Sequence, residues 1–504
     1  MNDERTGSAV AAESTGDALP AHGSDFLQLD IGDAPAGGKA QWLARRLRQA
    51  VADGRLAVGS RLPPTRVLAG ELRVSRGVVT EAYRRLAEEG HVEGRRRGGT
   101  VVVAAPHLGG GSSDSAASRL RPATPGPLFE GEPDAAVFDA LRATPARIDF
   151  TPGQPDLAAF PRAAWLRAER AVLAELSAEH LGYGDPRGAP RLRRAVADWL
   201  ARSRGIRVEP DDVLIVAGTA QALTLLNPVL HADGVHAVAV EEPGSLGTRQ
   251  HLRNGGMATP PVPVDEHGVR VDALRATGAG AVLLTPAHQF PTGVVTSGER
   301  RRELLRWARD GGLIVEDDYD AEHRYDRSPV PALRALVAEQ VCYTGSVSKL
   351  LAPALRTGWM VPPPRHRDAL TEAKRFTDLG NAVLPQLVLA RLMESGDLER
   401  HLRLLRGRHR RRRDAMIAAL RAHLPGAVVH GAAAGLHLTV TYGPDVPDTA
   451  LAAASLARGV KCQPLSWHRQ LPGRPGLVLG YAATPPGVIP DGIAALGEAL
   501  RGLA

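Results

Sequence analysis

The chain has 504 residues, 43% apolar and 23% charged, with a formal charge of +7 and two cysteines. That length accommodates two to four domains around a large core, and the composition excludes wholesale disorder. No stretch approaches 18 uncharged apolar residues, which excludes a membrane-spanning helix; Cys342 and Cys462 alone make neither a disulfide framework nor a cysteine metal site. Met1–Ser24 is acidic and polar, without the basic and apolar regions of a secretory signal, so a cytoplasmic protein is expected.

Two features of the charge matter. Arginine outnumbers lysine 58 to four, the lysines being Lys39, Lys349, Lys374 and Lys461, so chemistry that needs an amine has few candidates. Residues 41–103 hold 13 arginines against six acids, an excess equal to that of the whole chain. A small segment carrying the entire net charge has the electrostatic footprint of a nucleic-acid binder.

In chain order, residues 1–38 are rich in Gly, Ala, Asp and Ser and read as a disordered tail. Residues 40–52 read as an amphipathic helix, with Trp42, Leu43, Leu47, Ala50 and Val51 at helical spacing. Leu62-Pro-Pro-Thr-Arg66 opens a second, short helix. Ser75 is placed to cap a third, running from Arg76 to about Glu89, with Val79, Ala82, Tyr83 and Leu86 on one face and Arg76, Gly77, Thr80 and Arg84 on the other. Two helices joined by a short turn, the second with a basic polar face, match a helix-turn-helix unit; Arg95–Thr100 reads as the tip of a hairpin wing.

The elements LP-x-x-R-x-LA and VSR-x-x-V-x-x-AY-x-x-L-x-x-EG resemble the winged helix-turn-helix of GntR-type transcription regulators. The resemblance implies operator DNA as a partner, contacted by Arg66, Ser75, Arg76, Gly77, Thr80 and the wing glycines Gly98 and Gly99. The domain is expected over 39–103.

Residues 104–145, rich in Gly, Ser, Ala and Pro, read as a flexible linker. From 146 to 504, β-like runs (Val213–Val216, Ala237–Val240, Ala281–Leu284, Leu313–Val315, Val341–Tyr343) alternate with helical patterns, as in an α/β domain with a mostly parallel sheet. Three segments there carry chemistry. Gly218-Thr-Ala-Gln221 starts a helix directly after a β-run, where free N–H groups and the helix dipole make a phosphate seat. Glu316-Asp-Asp-Tyr-Asp320 ends a strand with clustered acids, and an electron-sink cofactor needs one carboxylate against its pyridine nitrogen. Ser346-Val-Ser-Lys349 follows a β-run and precedes Arg356 by seven residues, a pattern that fits a lysine bound to pyridoxal phosphate (PLP) with hydroxyls and a guanidinium on its phosphate. No histidine or carboxylate at ligand spacing completes a metal site around the acids, and none is expected.

The order of phosphate seat, acid and lysine resembles fold-type I, aspartate aminotransferase-like enzymes. More closely, YGDPRG, EEPGS, TPAHQFPTG, EDDYDAEHRYD, SVSKLLAPALRTGW and LVLGYAA resemble the effector domain of the MocR subfamily of GntR regulators. The resemblance implies that Lys349 forms the Schiff base, Asp317 pairs with the pyridine nitrogen and Tyr319 lies near the ring hydroxyl. Thr219, Ala220, Ser346, Ser348 and Arg356 then hold the phosphate, and Tyr183 reaches across a homodimer. Three positions depart from the pattern. Ser245 stands where an aromatic usually stacks on the ring, Ala220 lacks a phosphate-binding side chain, and LVLGYAA has no arginine to clamp a carboxylate, leaving Arg469 or Arg474 nearby. The expected function is a PLP-dependent regulator that senses PLP or an amino compound; the alternative is a working aminotransferase with an auxiliary DNA-binding domain. Arg406–Arg413 (RGRHRRRR) reads as a solvated helix face.

Overall fold

The computed structural model describes residues 23–24, 27, 29–95, 99–103, 128–325, 330–443 and 446–503, and divides into two compact units, Met1–Thr124 and Pro125–Ala504. In the smaller unit, helices α1 (Lys39–Ala52), α2 (Thr65–Glu71) and α3 (Arg76–Glu88) precede an antiparallel hairpin of β1 (Val92–Arg95) and β2 (Gly99–Val102). The 3.6-residue spacing of apolar positions on α1 and α3 points Leu43, Leu47, Val79 and Leu86 into one core, fully buried beside Leu68 and Leu72. Each such burial contributes roughly 1.5–3 kcal/mol. The expected tail is shorter than its composition suggested. Leu29 is buried in this core and Ile31–Asp33 form a helical turn capped by Asp30, because a few apolar residues within the polar run suffice to dock it. Ser75 occupies the N-cap of α3, but its side chain makes no cap; its carbonyl accepts from Val78 instead.

The larger unit opens with α4 (Val137–Ala143), followed by α5 (Pro190–Arg204), β3 (Leu214–Val216), α6 (Thr219–Ala232), β4 (Val238–Glu242), α7 (Leu246–Asn254), β5 (Pro261–Asp265), β6 (Gly268–Val269), β7 (Ala281–Leu284), α8 (Gly298–Arg309), β8 (Leu313–Asp318), β9 (Val341–Ser346), β10 (Gly358–Val361), α9 (Arg367–Asp378), α10 (Val383–Glu394) and α11 (Asp397–His423). These strands form one sheet in the order β3-β10-β9-β8-β7-β4-β5-β6. The run from β9 to β5 is parallel, and antiparallel pairs stand at both ends. Its strands are buried on both faces, which is why they read as continuous apolar runs rather than alternating ones. After α11, β11 (Val428–His430), β12 (His437–Thr441), β13 (Gln463–Pro464) and β14 (Gly476–Gly480) make an antiparallel sheet in the order β11-β12-β14-β13.

Two expectations fail here. Residues 104–127 of the expected linker lie outside the described residues, but 128–145 are folded. Val137 and Leu141 are buried, and Phe129 stacks on Trp467 at 5.5 Å. Burial of Phe129, Val137 and Leu141 outweighs the loop-like composition of the residues that precede them. Nor is Arg406–Arg413 only a solvated face: Arg412 and His409 are buried, Arg412 pairs with Asp156 at 2.8 Å, and Arg413 lies over the Tyr325 ring at 4.8 Å. Asp156 makes burial of Arg412 tolerable, since an unpaired buried charge costs several kcal/mol on the order of 3–5.

Candidate functional site

The chemistry gathers at the carboxyl ends of the parallel strands, where ligands of open α/β sheets bind. A cavity of about 370 Å³ is lined there by Gly153, Gly218, Thr219, Ala220, Glu241, Ser245, Asp317, Tyr319, Ser346, Ser348, Lys349 and Arg356, among others.

Strand alternation sorts the acids of β8. Glu316 and Asp318 point to one side, where Glu316 accepts from the backbone N–H of Leu333 and Arg334 while Asp318 is held by Arg204 and by the Tyr343 hydroxyl at 2.7 Å. Asp317 points to the other side, into the cavity, and accepts from Thr219 Oγ1 at 3.1 Å and Thr344 Oγ1 at 3.3 Å. Burial pushes its carboxyl up to about 6, against the two hydroxyl hydrogen bonds. The Lys349 amine donates to the Gly153 carbonyl. Desolvation pulls its pKa below the usual lysine value, with Asp320 and Asp317 opposing. Gly153 has φ +83°, and a Cβ there would stand 3.2 Å from the amine.

The phosphate seat is built as its residues require. Gly218, at φ +93°, ends the turn from β3, and Thr219 and Ala220 begin α6 with their N–H groups free of intrahelical partners. Arg356 adopts the left-handed region (φ +44°, ψ +45°), and its guanidinium would be 3.9 Å from a Cβ at position 218. Ser346 ends β9, and its hydroxyl accepts from the Ser348 N–H at 3.4 Å.

Several residues escaped the sequence reading. Glu241, at the end of β4, is buried, accepts from Thr285 Oγ1 at 2.6 Å, and is pushed up to about 7 by burial. His288 meets Tyr319 Oη at 3.1 Å and Asp320 at 2.9 Å, and with His437 these residues place potential ligating atoms within 4.8 Å of one another. No metal was expected, because no histidine or carboxylate stands at ligand spacing around the acids in the sequence. Here His288 Nδ1 is hydrogen-bonded to Asp320 and His437 Nε2 to the Pro291 carbonyl at 3.1 Å, which fixes both rings beside Tyr319. Ser245 caps α7 by accepting from the Thr248 N–H at 3.2 Å. Tyr183 lies away from the cavity. It is 95% exposed and lines a different cavity of 870 Å³ with Leu379 and Asn381.

In the smaller unit Arg66, Ser75, Arg76, Gly77, Thr80 and Gly99 are all exposed; Gly98, like Arg96 and Arg97, lies outside the described residues. Arg76 Nε donates to Thr65 Oγ1 at 3.3 Å, linking α3 to α2. Arg84, placed on the same face by sequence, is paired with Glu81 and Glu88, so the positive potential of α3 is concentrated at its N-terminal end.

The donor set fits PLP: a desolvated lysine amine, a carboxylate in the same cavity, and a helix N-terminus beside a guanidinium, entered through a glycine at φ +93°. Residues 146–471 match the family model "Aminotransferase class I and II", and residues 39–102 match "Bacterial regulatory proteins, gntR family". The chain is 33% identical to the probable rhizopine catabolism regulatory protein MocR of Rhizobium meliloti, over 92% of this chain and 93% of that protein. It is 31% identical to the pyridoxine biosynthesis transcriptional regulator PdxR of Corynebacterium glutamicum, over 88% and 91%. Among solved structures it resembles the α-aminoadipate aminotransferase LysN of Thermus thermophilus, complexed with N-(5'-phosphopyridoxyl)-L-leucine (29% identity, TM-score 0.66, 73% of this chain and 94% of that one). A multiple substrate aminotransferase of Thermococcus profundus is similar too (28%, 0.67, 73% and 95%). With a gntR-type unit joined to an aminotransferase class I and II domain whose cofactor is PLP, the chain belongs to the MocR-type HTH transcription regulators of the GntR family.

Proposed function

We propose that the protein senses an amino compound through PLP held at Lys349 and adjusts operator binding in response. One observation carries this reading: Lys349, Asp317 and the Thr219–Arg356 seat face one cavity from three different segments of chain. Bound PLP supplies an aldehyde carbon that condenses reversibly with amines. Desolvation raises the neutral, nucleophilic fraction of the Lys349 amine. Asp317 holds a proton on the pyridine nitrogen, and Tyr319 donates toward the ring hydroxyl. Thr219 and Ala220 N–H groups, the Ser346 and Ser348 hydroxyls and the Arg356 guanidinium bind the phosphate.

The DNA face is Arg66, Ser75, Arg76, Gly77, Thr80 and the wing glycines Gly98 and Gly99, acting over 39–103. A homodimer is supported by the exposed Tyr183 and Leu379 (58%), which line one cavity, and by the exposed Leu181 (66%) and Phe376 (80%), large apolar side chains that a second copy would cover. Tyr183 is then free to reach the partner's phosphate. No helix among the described residues is long and apolar enough to cross a membrane, in keeping with a cytoplasmic regulator.

The test is spectral. Purified protein is yellow and gives one borohydride-reducible adduct, and Lys349→Ala removes both; a reducible adduct retained in Lys349→Ala defeats the assignment. The second reading, a working aminotransferase, is favoured by Lys349, Asp317 and Arg356 lining one cavity, although Ser245, Ala220 and the arginine-free LVLGYAA depart from the aminotransferase pattern. Full conversion to the pyridoxamine form in a single turnover with an amino acid supports it, and retention of the aldehyde form supports the sensor.

A further inference from the structure

The cavity lacks a cation for a ligand carboxylate in the place where sequence sought one. β14 presents only Gly, Leu and Val, and neither Arg469 nor Arg474 lines the cavity. Of the lining cations, Lys349 is the reactive amine and Arg356 belongs to the phosphate seat. The lining histidines His437 and His468 are pushed down by burial to about 4 and about 3 and stay neutral near pH 7. One lining cation is left among the described residues: Arg142.

Arg142 comes from α4, in the run whose composition read as linker. Val137 and Leu141 face the core, while Phe138 and Arg142, also four apart and hence on one helical face, line the cavity. The helix is fixed at that edge. Gln250 Nε2 of α7 donates to the Asp134 carbonyl at 2.8 Å, Phe138 meets Trp467 edge-on at 6.3 Å, and a Cβ at Gly247 would lie 3.6 Å from the Phe138 ring. Phe138 therefore stands beside the start of α7, where Ser245 brings no aromatic. The only ion pair of Arg142 among the described residues is with Asp139 on its own helix, both side chains more than 60% exposed. Such solvent-exposed pairs are weak, so a ligand carboxylate displaces Asp139 readily.

We propose that Arg142 binds the carboxylate of the amine ligand and that Phe138 supplies the aromatic wall of the cofactor pocket. The ligand class is then a primary amine bearing a carboxylate. This rests on reading the cavity as a PLP site.

The test uses full-length, PLP-loaded protein and absorbance titration of the bound cofactor. The probes are the proteinogenic amino acids, β-alanine and 4-aminobutyrate, each paired with the amine that lacks its carboxylate. The wild type responds to carboxylate-bearing probes in preference to their partners. Arg142→Gln weakens those responses about tenfold or more while leaving PLP retention and the plain amines unchanged, and Arg142→Lys restores part of the loss. Phe138→Leu lowers the visible circular dichroism of the bound cofactor. The proposal is overturned if Arg142→Gln binds carboxylate probes as tightly as wild type, if wild type responds to none of them, or if it prefers the plain amines. A wild type without the cofactor chromophore would instead overturn the PLP reading beneath it.

Discussion

Arg356 separates binding from stability. It is a non-glycine residue at φ +44°, a conformation that costs an L-residue about 1–2 kcal/mol. Arg356→Gly releases that strain but adds unfolded-chain freedom worth about 0.4–1 kcal/mol, so apo-protein stability should stay within about 1 kcal/mol of wild type. The same change removes a planar guanidinium poised over the start of α6, beside Gly218. Losing charge-assisted hydrogen bonds to a phosphate costs about 2–4 kcal/mol, roughly 30- to 1,000-fold in Kd. Arg356→Ala keeps the strain and loses the guanidinium, so its PLP affinity should match the glycine variant while its stability falls below it. Urea denaturation of the apo-protein reads the first quantity, and fluorescence titration with PLP reads the second. If PLP binds Arg356→Gly within about threefold of wild type, or if the variant loses more than about 2 kcal/mol of apo stability, the reasoning fails.

Arg76→Ala should weaken operator binding by about 1–3 kcal/mol if it reads a base edge; an equal loss on operator and random DNA in a fluorescence-anisotropy assay would mark a phosphate contact instead. Tyr183→Phe should release PLP faster without dissociating the dimer, and a PLP-loaded monomer at micromolar concentration in sedimentation would refute the shared site. His409 is buried, neither ring nitrogen has a partner among the described residues, and desolvation pushes it down to about 2. Its folded pKa lies below its unfolded value, so its contribution is present above about pH 6.5 and lost on acidification. Between pH 7 and pH 5 the wild type should lose about 2 kcal/mol relative to His409→Leu. The raised carboxyls of Glu241, Asp317 and Glu322 act in the opposite sense but are common to both proteins, so parallel stability curves would rule this out.

The helix-turn-helix and the parallel sheet were legible because each rests on local periodicity. Lys349 was conspicuous because a chain that uses arginine almost everywhere keeps so few amines. Which acid of Glu316–Asp320 faces the cavity follows from the two-residue alternation of a strand once β8 is placed. Glu241, His288 and His437 were not legible, since two strand ends and a turn distant in sequence bring them together. Residues 128–145 misled because they continue a run, 104–127, in which Gly, Ser, Ala and Pro dominate, whereas Phe129, Val137 and Leu141 decide their fate by burial. The arginine run on α11 misled for the converse reason: Asp156, some 250 residues away, makes burial of Arg412 affordable.

His437 lines the cavity with Nε2 against the Pro291 carbonyl, and a carbonyl can only accept, so that nitrogen carries the proton. With the ring uncharged down to about pH 4, Nδ1 is left as a lone pair. The imidazole is thus locked in one tautomer above about pH 4. A residue type usually associated with proton sensing here behaves as a fixed acceptor on the cavity wall, which leaves the titration of the site to Glu241 and Asp317.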